Sequence, residues 1–466
     1  MSTERMRTSL LSLPDELLEV ILTTVLAGRP RSPASQLALI CRRMARLVRQ
    51  PLYYEITLRL SSRKCRKLHK LLMERADLRE LVKDVTLYDI DDDGIPSIAL
   101  SECAELVAKL PQLDTLSLEA VSSVIAKLFD EIFAQGQLSA RHVSISLFPD
   151  NDDPEDAVHD AVWWPSLARL PRLRQISLYP GDDANVTLRF PAATTPLPLT
   201  AVRKLDIYGT VFSAKGPADL ADLLPHLERL DLTFHNNAEG LVRSLQAAPG
   251  TLTHLHIYTS CAADAQILPI LNRFPHLDHL SIPNNLQLRL LLPFLLSSRI
   301  RLLSFHHDLS AEHEGVNVTD EFLLKLVSAA EGMQCLKRLQ IDYAWARHDV
   351  HVQEEIANAI RTAARDDLDW TRARRGPHWP AGCSAKGLES VIEVARTRGI
   401  HISGDTLHCL DWHRHFDDLV ERCLVDHALA ENDYTLIEQY LGEEGAGAAI
   451  LHQRPRLAEL VAKGRA

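Results

Sequence analysis

The chain lacks most of the local signatures by which enzymes and secreted proteins announce themselves. Its eight cysteines (Cys41, Cys65, Cys103, Cys261, Cys335, Cys383, Cys409 and Cys423) include no CxxC pair and no tight framework. That argues against a disulfide-stapled extracellular domain and leaves a reducing cytoplasmic or nuclear location as the expectation. Long apolar runs are also missing: residues 286–303 are the most apolar stretch, and Arg289, Pro293, Arg299 and Arg301 interrupt them short of a membrane span. Ahead of Pro14 stand Glu4, Arg5 and Arg7 rather than the apolar core of a secretory signal. No GxxxxGK[ST] loop, GxGxxG turn, GxSxG elbow or HExxH helix occurs. Phosphate-loop, dinucleotide-fold, serine-hydrolase and zinc-protease chemistry therefore have no motif here.

What remains is ordinary in bulk and uneven in detail. Across 466 residues, 46% hydrophobic and 24% charged content fits a soluble globular chain. The net charge of -11 conceals a basic beginning: residues 1–75 hold 15 Lys and Arg against 6 Asp and Glu. Pro14, Asp15 and Glu16 suit a helix start, and Leu17, Leu18, Ile21, Leu22 and Val25 share one face of a helix over 13–26. After the breaker run Gly28-Arg29-Pro30-Arg31-Ser32-Pro33, a second helix is read from Leu37, Ile40, Cys41, Met44, Leu47 and Val48, ended by Pro51-Leu52-Tyr53-Tyr54.

This segment resembles the F-box, on the residues Leu13, Pro14, Glu16, Leu17, Leu18, Ile21 and Leu22, then Leu39, Ile40, Cys41, Arg42, Arg43 and Leu47, then Tyr53 and Tyr54. The loop between the helices is longer than the family's, and tyrosines stand where tryptophan is common. The resemblance implies that Leu13, Pro14, Leu17, Leu18, Ile21, Leu22, Ile40 and Cys41 form the adaptor-binding face or its immediate support, and the apolar spacing alone does not separate those two roles. A plain N-terminal cap on the repeats beyond it is the competing reading. Nucleic-acid binding by Arg42, Arg43, Arg46 and Arg49 is not expected, because no exposed aromatics interleave with them.

From Leu81 a phrase recurs, plainest in Leu227-Glu228-Arg229-Leu230-Asp231-Leu232. Its closing apolar residues are Leu87, Leu118, Leu147, Leu178, Ile207, Leu232, Ile257, Ile282, Phe305 and Ile341, mostly 23 to 31 residues apart. Helical stretches lie between them, as at 101–110, 321–330 and 386–398, the last leading into Ile400-His401-Ile402. A unit of helix, turn and strand cannot bury its own apolar stripe, so the units must stack. The expected fold class is α/β: an N-terminal helical motif, a leucine-rich-repeat solenoid with parallel strands on the concave face and helices on the convex face, and a helical C-terminal cap. The expected divisions are 1–60 for the F-box-like motif, 61–80 for a connecting helix, 81–410 for the repeats and 411–466 for the cap. Residues 81–345 resemble the divergent leucine-rich repeats found C-terminal to many F-boxes; Leu277-x-x-Leu280-x-Ile282-x-x-Asn285 keeps the consensus asparagine, while most other units do not.

Alternate residues of a strand share a face, so the polar positions of the phrase should line an open surface. One column holds Phe148, Tyr179, Tyr208, Thr233 and Tyr258, and another holds Lys204, Arg229, His254 and His279. With His256 beside them, these are the expected substrate-binding residues, aromatics for rigid contact and cations for an acidic segment. The competing reading is ring-on-ring stacking, with Lys204 and Arg229 neutralised by Asp206 and Asp231. His254, His256 and His279 could also share a metal, although no carboxylate or cysteine completes such a site. The run Asp89-Ile90-Asp91-Asp92-Asp93-Gly94 copies the opening of a calcium loop, but Pro96 and Leu100 spoil its second half. No cofactor, metal or catalytic residue is expected. The resemblance implies the substrate receptor of an SCF-type ubiquitin ligase, with a Skp-type adaptor, through it a cullin, and a protein substrate as partners. A scaffold without a ubiquitin role and a metal-dependent enzyme are the alternatives.

Overall fold

The computed structural model describes residues 13–15, 17–18, 21–22, 37, 39–88, 98–147, 157–180, 186–189, 197–212, 220–234, 237–259, 264–283, 288–306, 318–330, 332–342, 384–404, 407, 410, 424–426, 428–429, 437 and 459. The chain divides into two compact units, residues 1–252 and 253–466. In the first, the strands are β1 (Glu55–Arg59), β2 (Asp84–Tyr88), β3 (Thr115–Ala120), β4 (His142–Leu147), β5 (Ala157–Asp160), β6 (Gln175–Pro180), β7 (Val186–Arg189), β8 (Lys204–Tyr208), β9 (Thr210–Phe212) and β10 (Arg229–Phe234). Those of the second are β11 (His254–Thr259), β12 (His279–Pro283), β13 (Leu302–His306), β14 (Arg338–Ile341) and β15 (His401–Ser403).

In the first unit β1, β2, β3, β4, β6, β8 and β10 pair in that order, all parallel. In the second, β11 to β15 do the same. Parallel neighbours require a crossover between them, and among the described residues helices lie in most of these crossovers, with β7 in the one from β6 to β8. The recurring phrase explains the register. Leu227, Leu230 and Leu232 are fully buried while Arg229 between them is exposed, and the same alternation runs along β2, β3 and β4. Each rung is tied to the next just before the strand: the N–H of Arg141 donates to Asp114, that of Arg174 to Arg141 and that of Arg203 to Arg174, at 2.7 to 2.8 Å. No repeat could hold its leucines from water alone; stacking provides the second wall.

Helix ends show local chemistry that the sequence carries openly. Asn237 caps Ala238–Ala247 by accepting from the Gly240 N–H at 2.7 Å. Thr319 does so for Asp320–Val327 and Ser384 for Ala385–Thr397. In Leu100–Ala108, Glu102 reaches back to the Ala99 N–H at 2.9 Å. This last helix also buries Cys103, whose thiol is pushed up to about 12 by burial and then by the Glu102 charge. Cys41, Cys65 and Cys335 are only partly buried, so on alkylation of the native protein at pH 8 Cys103 should react last of the four. Peptide mapping of a time course checks this; early labelling of Cys103 would contradict it.

Several expectations change. The sheet begins at Glu55, with β1 paired to β2, rather than near Leu81. Within 61–80 the chain forms two helices, Arg63–Glu74 and Ala76–Arg79. The helix read continuously from Leu37 is broken at Cys41, whose backbone is extended and whose sulfur accepts from the Met44 N–H, capping a new helix Arg42–Leu47. Pro51 does not end the helical region: Arg49–Tyr54 is a further helix with Pro51 in its first turn, where a missing N–H costs nothing. In β4 it is Ile145, not Leu147, that pairs with Leu118 and Leu178. His-Val-Ser-Ile-Ser-Leu offers three apolar positions two apart, and periodicity cannot choose between registers that differ by two. A second parallel sheet, β5 with β7 and β7 with β9, was not expected; Arg189 and Asp160 clasp its rungs at 2.6 and 3.1 Å. The consensus Asn285, the acidic run 89–94 and most of the expected cap over 411–466 lie outside the described residues. Among the described residues no helix is long and apolar enough to cross a membrane.

Candidate functional site

Two surfaces of the first unit and one of the second collect the residues singled out by sequence. The N-terminal helical segment has its own small core of Leu18, Leu22, Met44, Leu47 and Val48, with Leu13, Leu37, Cys41 and Leu52 packed against it. Asp15 straps its two halves together by pairing with Arg43 at 2.6 Å and with Arg46, while Arg43 also donates to the Leu13 carbonyl. The Arg43 hydrogen bond is the main reason the Asp15 carboxyl sits below its ordinary value. Around this core a second set of apolar side chains faces outward. Leu17 is 53% exposed, Ile21 37%, Leu39 87% and Ile40 61%. Pro14 is exposed as well.

The eight expected adaptor-face residues thus fall into three groups. Leu18 and Leu22 are internal, at 0% and 4% exposure. Leu13 and Cys41 support them from the edge of the core. Pro14, Leu17, Ile21 and Ile40 point outward, joined by Leu39. Exposed large aliphatic residues at neighbouring helical positions are unusual on a surface that has no partner.

On the sheet of the first unit, β8 and β10 bring Lys204 beside Arg229, Asp206 beside Asp231 and Tyr208 beside Thr233. Lys204 Nζ lies 3.0 Å from Asp206 and 3.3 Å from Asp231, and Arg229 lies 3.0 Å from Asp231. These four charges cancel. Lys204 and Arg229 therefore offer no surplus charge to an acidic ligand, because carboxylates two residues further along the same strands reach them first. Tyr179 stacks on Tyr208 at 4.3 Å and 14°, leaving both half-buried. Burial and the neighbouring Tyr179 raise the Tyr208 hydroxyl well above its ordinary value. In the Tyr179 row the β4 residue is Ser146; Phe148 lies outside the described residues.

Asp206, expected only to neutralise Lys204, is the centre of this face. It is buried, and its Oδ2 accepts from Gln175 Nε2 and Ser177 Oγ, each at 2.7 Å. Burial pushes its carboxyl up, but the hydrogen bonds from Ser177 and Lys204 and the Lys204 charge outweigh that, and it stays below the usual value. Since Ser177 gives its proton to Asp206, the 2.9 Å contact between Ser177 Oγ and His142 Nε2 requires the imidazole to donate. Burial lowers the His142 pKa and keeps the ring neutral. Ser177 thus links the His142 imidazole to the Asp206 carboxylate. The signal in the sequence is the polar residue that β2, β3, β4, β6, β8 and β10 each carry at this position, Thr86, Ser117, Ser144, Ser177, Asp206 and Asp231.

In the second unit, His254 stacks on His279 at 4.0 Å and 10°, in paired rungs. His306 on β13 brings further rings together on this face. Tyr258 stacks on it at 5.0 Å, His256 meets it edge-on at 4.8 Å, and Ser281 Oγ lies 3.1 Å from its Nδ1. Among the described residues no three His, Cys, Asp or Glu side chains converge as a metal site.

The architecture defines the class: an α/β protein of repeated helix and strand units with parallel sheets. No protein-family model matches the chain, and no curated protein matches it. Among solved structures it is similar to a chain in the crystal structure of a TLR13–ssRNA13 complex, at 15% identity and a TM-score of 0.35, over 63% of this chain and 40% of that one. The chain thus spans less than half the length of that protein.

Proposed function

We propose that this protein is the substrate-recognition subunit of an SCF-type ubiquitin ligase. Its N-terminal helices would seat a Skp-type adaptor, and through it a cullin, while its strand faces hold a protein substrate in the cytoplasm or nucleus. The single observation that carries this reading is the division of the N-terminal helices' apolar residues, in which Leu18 and Leu22 close an internal core while Leu17, Ile21 and, from the second helix, Ile40 stay exposed. A mere cap needs only the first set. A helix pair that binds a partner groove needs both.

On this reading the protein performs no chemistry of its own. It raises the effective concentration of a substrate lysine near a ubiquitin-charged enzyme carried elsewhere in the assembly. The half-buried Tyr179, Tyr208 and Tyr258, being ordered already, would contact substrate with little further loss of entropy. A scaffold with no ubiquitin role draws on the same open strand faces and is the coarser reading.

Tagged wild-type protein should recover a Skp-type adaptor and a cullin from cells, and Leu17→Asp with Ile21→Asp should recover neither while keeping the wild-type thermal transition. Recovery of neither partner by the wild type would sink the ligase reading and leave the scaffold.

A further inference from the structure

We propose that a pocket at the strand-entry edge of the second unit binds a phosphate group. The pocket, of about 510 Å³, is lined by Arg299, Arg301 and Lys337, by His276 and Gln334, and by one acid, Asp278. The backbone puts three of these on consecutive rungs: the Arg301 N–H donates to the Asp278 carbonyl and the Lys337 N–H to the Arg301 carbonyl, both at 2.8 Å. Neighbouring strands are about 4.8 Å apart, so Arg301 and Lys337 stand next to each other with no acid between them. Like charges in adjacent strands destabilise a sheet. Arg301 has Asp278 on the adjoining rung at 3.7 Å, as Arg141 has Asp114 at 3.5 Å and Arg203 has Glu228 at 3.3 Å in the first unit, so the surplus charge here belongs to Lys337 and Arg299.

Asp278 does not restore neutrality. Its carboxylate lies 3.2 Å from His279 Nδ1 and 3.7 Å from Arg301. Arg299, on the turn before β13, and Lys337 have no carboxylate within 4 Å among the described residues. Two unmatched cations facing one cavity fit a dianion better than a single carboxylate, and an arginine fork with an ammonium is the usual pairing around phosphate oxygens. The cavity exceeds the phosphate itself, and Pro275 and Leu277 give it an apolar wall. That leaves room for whatever carries the phosphate. The inference is independent of the adaptor reading, since no residue of the N-terminal segment enters it.

Calorimetric titration of the full chain at constant ionic strength, with inorganic phosphate, phenyl phosphate and benzoate, tests it. Both phosphates should bind saturably at one site, and Arg299→Gln or Lys337→Gln should weaken them by about tenfold or more. Lys70→Gln, an exposed cation of the first unit paired with Glu74, should leave binding unchanged. Tighter binding of phenyl phosphate would mark an ester as the ligand; equal binding would mark free phosphate. Absence of saturable heat from both phosphates, benzoate binding as tightly as they do, or an equal loss with Lys70→Gln would each overturn the proposal. All three substitutions are at exposed positions, and an unchanged thermal transition confirms the folded state.

Discussion

Asp206→Ala should lower the unfolding free energy by about 2–4 kcal/mol, the scale of breaking a buried ion pair, and shift the urea midpoint followed by circular dichroism to match. The change removes the acceptor of Gln175 and Ser177 and the nearer partner of Lys204 in one step. It falls short of the full cost of a stranded buried charge because Lys204 is partly exposed and keeps Asp231 at 3.3 Å. Arg229→Gln, at the exposed end of the same group, should cost under about 0.5 kcal/mol. An unchanged midpoint for Asp206→Ala would show that the network is not what orders this face.

The same residues set a pH dependence with a definite sign. The folded-state pKa of Asp206 is depressed, so its contribution is present above the unfolded value of about 4 and is lost as pH falls through the folded value. The folded-state pKa of His142 is also lowered, by burial; the unfolded chain binds the proton first, and stability declines as pH falls below about 6.5. Acid unfolding should therefore show a shallow decline below neutrality and a steeper one in the carboxylate range. Asp206→Asn should flatten the second and enlarge the first, because the Asp206 charge holds the His142 value up against burial.

The other large effect separates two adjacent leucines. Leu18→Asp places a carboxylate in the core formed with Leu22, Met44, Leu47 and Val48, at a cost of about 3–5 kcal/mol. Because that core is its own cluster, the loss should be local. The Val48 amide, which donates to Met44 at 2.9 Å, should lose roughly a hundredfold or more in hydrogen-exchange protection. Leu17→Asp, at an exposed position, should leave that protection within about threefold, as exposed substitutions generally do. If both variants lose it equally, Leu17 belongs to the core and the proposed adaptor surface loses its basis.

Much of this molecule is legible in the order of its residues. Period-two alternation, with leucines every 23 to 31 residues, is enough to place parallel strands with helices between them, because an apolar face exposed to water must find a neighbour. The cap residues Asn237, Thr319 and Ser384 announce three helix starts for a similarly local reason. Register is less secure. Val143, Ile145 and Leu147 are equivalent until β3 and β6 choose among them.

Charge and exposure belong to the packed structure. Along the chain Lys204 and Arg229 read either as cations for a ligand or as charges neutralised by Asp206 and Asp231, and the 3 Å approach of those carboxylates in the packed structure cancels them. Leu17 and Leu18 lie on one apolar stripe, and nothing local distinguishes them. The partner helix, held by Asp15 to Arg43 and Arg46, covers Leu18 and leaves Leu17 in water. Periodicity reports which residues are apolar. Burial depends on what stands opposite, and that is a tertiary fact.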